Sequence, residues 1–251
     1  MVLKFSPANA KIKALASVPA LAHYLNGKRK VYSFDLLSGW SCPFAEQCRS
    51  KAVETDGRRT IQDGPKTEFR CFSASQEVLF SNVYKSRKHN FDAVKHLGSQ
   101  EIAAALLANL PKNAGIIRLH VAGDFFNRRY FAAWVAVAKA RPDVLFYAYT
   151  KSLQYWVENA SQIPDNFRLT ASRGGAQDHY IDDYNLPEAR VVYSEAEAAA
   201  LGLAIDHDDS HAAIGGHSFG LLIHGVQPKG TAAAAALQTL RTDGVKHSYT
   251  R

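Results

Sequence analysis

The chain has 251 residues, 47% of them hydrophobic, with a formal net charge of +7 and a pI near 9.3. That is enough apolar material for one large core or two small ones. Nowhere do the roughly 18 consecutive apolar residues of a membrane span occur, and the amino terminus lacks an apolar core followed by a small-residue cleavage site, so the cytoplasm is the expected compartment and no membrane partner is expected.

Residues 1–29 read as a polar, basic amino-terminal extension with one amphipathic piece, Ala14 to Leu25, packed outside the main domain or leading into the first strand. A single α/β domain is expected over 30–241, and a flexible tail over 242–251. The apolar run from Val31 to Leu37 predicts the first strand. Glu54 to Phe69, with Gly57-Arg58-Arg59 and Asp63-Gly64-Pro65, has the composition of an exposed turn or hairpin. A helical pattern opens at Cys71 and runs through Phe72, Val78, Leu79 and Val83 to Leu97. The basic group Lys85, Arg87, Lys88 and His89 within it reads as a solvent face. Helices are expected over 100–110, 130–140, 195–201 and 231–241, with a short one from Leu153 to Glu158. Strands are expected over 116–124, 144–151, 167–172, 190–194 and 219–225. Short β runs alternating with helices define βα units. The expected architecture is therefore α/β: a partial (β/α) barrel-like parallel sheet with surrounding helices, or an open doubly wound sheet. Either way, sites lie beyond the carboxyl ends of the strands.

All three cysteines belong to two segments, Ser38 to Cys48 and Arg70 to Ser73. Cys42 and Cys48 follow the first strand; Cys71 comes after the basic insert. Thiolates select zinc, copper(I) or iron–sulfur clusters. Three of them fill three corners of a [4Fe-4S] cluster and leave one iron for another ligand; three plus a histidine make a structural zinc site. The alternatives are a Cys42–Cys48 disulfide or three small buried residues, and an odd count weighs against a disulfide framework. His207 and His211, four apart among Asp206, Asp208 and Asp209, are candidates for the fourth ligand. The other strand ends carry Asp124, Lys151, Ser172, Arg173, Ser194 and His224. Asp124 is a candidate base or a helix cap, and Lys151 a candidate acid, base or anion ligand. Asp209 is a third catalytic candidate. Ser172 and Arg173, running into Gly174-Gly175, could face a phosphate or carboxylate, although a plain turn fits the sequence at least as well. His120 and His224 read equally as core histidines.

Cys-Pro-x-Ala-x-x-Cys at 42–48, Cys-Phe-Ser at 71–73, His-Val-Ala-Gly-Asp-Phe-Phe at 120–126 and Tyr-Ala-Tyr-Thr-Lys-Ser-Leu at 147–153 resemble the phage and plasmid gene product 88-like family over residues 30–230. The resemblance implies a site without naming a reaction. Other members carry more cysteines toward the carboxyl terminus, where this chain has its 206–211 Asp/His loop. A looser resemblance is to radical S-adenosylmethionine enzymes, which carry three cysteines on the loop after the first strand of a partial barrel. Position fits; the compact three-cysteine run is absent, so S-adenosylmethionine is implied by position alone.

Three functions are compatible with these readings. The first is an iron–sulfur enzyme acting on a small-molecule or polyanionic substrate. The second is a zinc-stabilised nucleic-acid-binding protein using Arg58, Arg59 and the 85–88 group. The third is a non-catalytic redox or sensor protein.

Overall fold

The computed structural model describes residues 1–246. The chain opens with β1 (Phe5–Pro7), the single turn α1 (Ala10–Lys13) and two 3-10 turns, then enters β2 (Lys30–Phe34). The cysteine loop follows, and after it a hairpin of β3 (Ser50–Thr55) and β4 (Arg58–Asp63). Helices α2 (Phe72–Leu79), α3 (Ser81–Val94) and α4 (Ser99–Asn109) lead to β5 (Ala114–Leu119). Four further strands come next: β6 (Leu145–Thr150), β7 (Phe167–Ser172), β8 (Glu188–Val192) and β9 (Phe219–Leu222). After β5, and between or after these strands, lie α5 (Arg128–Ala140), α6 (Leu153–Glu158), α7 (His179–Tyr184), α8 (Glu195–Ala200), α9 (Ser210–Ile214) and α10 (Ala232–Thr242).

Local chemistry explains the boundaries. Asn127 caps α5 by accepting the Tyr130 N–H at 2.9 Å, and Thr231 caps α10 through the Ala234 N–H at 3.2 Å. In α5, Tyr130, Phe131, Trp134, Val137 and Ala138 recur at helical spacing and are all buried, an apolar stripe that must face a sheet. The expected strand over 116–124 stops at Leu119, because His120 takes a left-handed backbone, φ +65°, and turns the chain out of the sheet. The helical pattern after Cys71 breaks into α2 and α3 at Phe80, whose backbone is extended.

Seven strands form one sheet in the order β1-β2-β5-β6-β7-β8-β9. β1 runs antiparallel to β2, and every other pairing is parallel. The α/β class and the parallel sheet are as expected, but the sheet keeps two edges, β1 and β9, and does not close into a barrel. The six parallel strands follow sequence order, so the chain is singly wound and the doubly wound alternative is excluded. One face, with Phe34, Leu119, Phe146 and Leu169, packs on α3 to α6. At the far edge, Val192 and Leu222 pack on α8 and α10.

The other face carries Val31, Ile116, Leu145, Tyr147, Ala189 and Phe219. It is covered by Ile12, Leu15 and Leu21 of the amino-terminal segment and by Ala212 and Ala213 of α9. β1 extends the sheet, and the turns that follow it close the second face and lead into β2. Of the expected tail, residues 247–251 lie outside the described part of the chain. Among the described residues no helix is long and apolar enough to cross a membrane. Truncating Leu21, fully buried on this second face, is expected to cost about 2–5 kcal/mol. Urea denaturation of Leu21→Ala measures this; a peripheral segment would show almost no change.

Candidate metal centre at the mouth of the sheet

The cysteine loop leaves β2 under tight constraint. Leu36 donates its N–H to the Ala122 carbonyl at 2.9 Å, tying the loop to the chain beyond β5. Gly39 sits at φ +72°, and a Cβ there would stand 2.5 Å from the Ser50 carbonyl oxygen, so only glycine lets the loop pass the hairpin. The Gly39 N–H points at Cys42 Sγ, 3.3 Å away. Further on, Glu46 and Gln47 donate to the Gly174 carbonyl, and Gln47 in turn accepts from the Glu68 and Phe69 N–H groups at 2.9 and 3.1 Å. That last pair returns the chain from the hairpin to the loop. The Cys71 N–H then reaches Ser50 Oγ at 3.3 Å.

A buried ion pair fastens the two segments together. Glu77 of α2 is inaccessible to solvent. Its Oε1 accepts the Ser38 N–H at 3.0 Å, the Ser38 hydroxyl at 2.6 Å and Arg87 Nη1 at 3.1 Å. Arg87 also donates to the Ser73 carbonyl and to Gln76. Burial pushes the Glu77 carboxyl above its usual range, against the pull of Arg87 and Ser38. The expectation that Arg87 belongs to a solvent face is thus corrected, whereas Lys85, Lys88 and His89 are exposed. The sequence did carry a signal: Arg87 falls at the i+3 position from buried Tyr84, in register with Asn90 and Val94. The contact among Glu77, Ser38 and Arg87 is what reading the sequence missed.

The three thiols are neighbours. Burial raises the Cys42 thiol well above its ordinary range, and the charges of Asp124, Cys71 and Cys48 add to it, opposed by the Gly39 N–H. Burial, then Cys48, pushes Cys71 up to about 11, against the N–H groups of Ala74 and Ser73 at the start of α2. Among the described residues no group of three or more His, Cys, Asp and Glu side chains is placed so that it could hold a metal ion. All three cysteines are free and half-buried.

Asp124 stands beside this group. It is 5% exposed and accepts from the Thr150 hydroxyl at 2.6 Å, the Phe125 N–H at 2.7 Å and the Lys151 N–H at 2.8 Å. Burial outweighs these bonds and raises its pKa to about 6. Lys151 aims its ammonium at the Ser172 carbonyl, the Ser172 hydroxyl and the Arg173 carbonyl, at 2.7, 3.1 and 2.7 Å, joining the ends of β6 and β7. Ser172 is thereby occupied. Arg173 is held by Glu188 and Asp182. The N–H groups of Gly174 and Gly175 go to Asp178 at 2.8 and 2.9 Å. This turn is consumed by its own contacts and offers no phosphate cradle. Ser194 caps α8.

Asp209 belongs to the sheet's second face. Its carboxylate meets Lys11 at 2.6 Å, Arg118, and the hydroxyls of Tyr147 and Tyr149 at 3.1 and 3.2 Å. Burial works against its charge, but Arg118 and Lys11 prevail and hold the pKa low. His211 bonds His217 at 2.7 Å and lies on Phe219, the first residue of β9, at the amino end of the strands. The cysteine loop leaves the carboxyl end. His207 follows Asp206, which accepts from Tyr149 at 3.3 Å. His120 is a core residue, its ring on Phe125 and its Nε2 3.0 Å from the Tyr130 hydroxyl.

Fold and mouth together define a singly wound α/β protein with three half-buried cysteines in the segments that follow its first parallel strand. The chain belongs to the gene product 88 family, whose model matches residues 1–242. It is also similar to the "Gene 88 protein" of Mycobacterium phage L5, 29% identical over 108 residues. The match covers 39% of this chain and 45% of that relative, so this chain spans less than half the relative's length. No solved structure matches. The looser resemblance to radical S-adenosylmethionine enzymes finds no support in these comparisons.

Removing the positive partner of Glu77 leaves a buried unpaired carboxylate. Arg87→Met is expected to cost about 3–5 kcal/mol in urea denaturation at neutral pH. Asp124 gives a pH signature. Its folded pKa lies above the unfolded value, so the folded state holds the extra proton between about pH 4 and 6, and stability falls as pH rises through that window. The loss is at most about 3 kcal/mol. Comparing urea midpoints of the wild type and Asp124→Asn across pH 4–7 measures it; parallel curves would contradict the raised pKa.

Proposed function

We propose that this chain is an iron–sulfur protein, acting as an enzyme, in which Cys42, Cys48 and Cys71 hold a [4Fe-4S] cluster at the mouth of the parallel sheet. The observation that carries the reading is that the thiols of Cys42, Cys48 and Cys71, on segments joined by the Gln47 and Glu77 contacts, are near enough to raise one another's pKa. Each buried thiolate makes the next harder to form, and a bound cation reverses that cost. Thiols are the donor type a soft metal centre takes, although as they stand the three do not form a group that could hold a metal ion. When bound, the cluster supplies electron transfer and a Lewis-acidic iron that no cysteine ligates.

The chain's own groups fit this role. Asp124, beside Cys42 and titrating near pH 6, holds a proton that can be given up close to neutrality. Lys151 fixes the β6 and β7 ends that shape the mouth. A cleft of about 460 Å³, lined by Glu46, Gln47, Lys66, Thr67, Gly174 and Asp178, borders the residues just before Cys48. The nucleic-acid alternative loses ground because much of the basic surface it needs is already spent: Arg59 on Ser81 and Glu54, Arg87 on Glu77, Lys88 on Asp92.

Anaerobic reconstitution with iron and sulfide is expected to give a brown protein with about four irons per chain. Cys42→Ser, Cys48→Ser and Cys71→Ser should each lose most of that absorbance. A wild-type protein that stays colourless and iron-free, or takes up one zinc instead, would defeat the reading.

A further inference from the structure

The β3–β4 hairpin has two unlike faces. Directly opposed residues of an antiparallel pair share a face, and successive residues alternate. Ser50, Ala52 and Glu54 stand opposite Asp63, Ile61 and Arg59 and form the inner face. Ala52 packs there with Val78 and Tyr84, and Ser50 Oγ takes the Cys71 N–H. Both carboxylates of the two strands are on this face and paired, Glu54 with Arg59 and Asp63 with Arg70. Lys51, Val53 and Thr55 stand opposite Gln62, Thr60 and Arg58 and form the outer face. That face carries two cations and no carboxylate; Asp56 belongs to the turn between the strands.

The cation series extends one step before β3. The Arg49 carbonyl accepts the Gly64 N–H at 2.6 Å, and a Cβ at Gly64 would meet Arg49 Cβ at 3.2 Å, so these residues continue the cross-strand pairing on the outer side. Arg49 and Arg58 are exposed. Among the described residues neither they nor Lys51 form an ion pair, in contrast to Arg59, Arg87 and Lys88. An aromatic ring lies beside them. Trp40 is 48% exposed, whereas Trp134 is buried and Trp156 half-buried. Trp40 Nε1 donates to the Ala52 carbonyl at 2.9 Å, and Lys51 Nζ stands 4.3 Å from the ring centroid. Gly39 permits the approach, since a Cβ there would stand 2.7 Å from Lys51 Cβ. The indole is thus anchored by its polar edge and keeps about half its surface open.

Cations without neighbouring acids attract a polyanion. A fixed, open indole adds a platform for an unpaired base, whose flat face a duplex would hide. We propose that Trp40, Arg49, Lys51 and Arg58 dock single-stranded nucleic acid on the outer face of the hairpin, the indole stacking on a base and the three cations contacting phosphates. Trp40 lies two residues before Cys42, so a bound strand passes beside the cysteine loop. The inference goes beyond the cluster reading and holds with or without iron.

Fluorescence anisotropy of a labelled oligothymidylate with the full chain, purified without iron reconstitution, tests it. Wild type is expected to bind, and log affinity should fall against log salt with a slope of about −2, as three phosphate contacts on a single strand give. Trp40→Ala should weaken binding about 5- to 150-fold. Arg49→Gln and Arg58→Gln should each make the slope shallower by about 0.7; both side chains are exposed, so these variants keep the core intact. Lys112→Ala, exposed just before β5 at the amino end of the strands, should bind as wild type does. Absence of binding by wild type at low salt would overturn the proposal. So would Trp40→Ala of unchanged melting temperature that binds as well as wild type, inorganic polyphosphate that competes as well as the oligonucleotide at equal phosphate, or duplex bound more tightly than oligothymidylate. Each of these outcomes leaves the cluster reading to its own iron measurement.

Discussion

The buried contact between Glu77, Arg87 and Ser38 is the constraint on which the rest of the mouth depends. Ser38 lies four residues before Cys42, and Glu77 lies six residues after Cys71. One carboxylate oxygen takes hydrogen bonds from both the backbone and side chain of Ser38 and from the guanidinium of α3. A buried ion pair of this kind adds little net stability over an apolar substitute, because desolvation offsets the attraction. Its value is positional: a charge that has no solvent to turn to accepts one arrangement of its partners. Here that arrangement sets the first cysteine loop against the helix that begins after Cys71.

Such positioning matters because the thiols resist ionising where they are. Cys42 and Cys71 are raised by burial and then by the charges around them. In an isolated chain they are protonated and poor nucleophiles. The N–H groups aimed at their sulfurs, from Gly39 and from the start of α2, favour thiolate but do not outweigh burial. Environments that are costly for a free thiolate and supplied with N–H donors suit a thiolate whose charge is shared with a metal.

The winding of the sheet brings the parts to one end. Six parallel strands in sequence order place every strand-to-helix turn at the same edge of the sheet. The Cys42 loop, Asp124, Lys151, the Gly174-Gly175 turn and His224 all follow strand ends and so share a mouth, despite coming from five different strands. The amino-terminal turns and α9 fill the second face, and the Asp209 cluster with Lys11 and Arg118 ties that filling to β5 and β6.

Much of this was legible in the sequence. Short apolar runs between helical patterns located six parallel strands, because a parallel sheet covered on both faces buries nearly every residue of its central strands. Cysteine placement and the strand-end polar residues marked the mouth for the same local reason. What the sequence could not decide was pairing over distance. Arg87 reads as one of four basic residues in a row, and only packing against Glu77 makes it internal. Asp209 reads as part of a metal-binding acidic loop until Lys11, nearly two hundred residues earlier, is brought against it. Local composition determined the elements and the end at which chemistry gathers. Which charges meet and whether the sheet closes were left to the tertiary structure, because those outcomes depend on contacts between segments whose own sequences carry no record of each other.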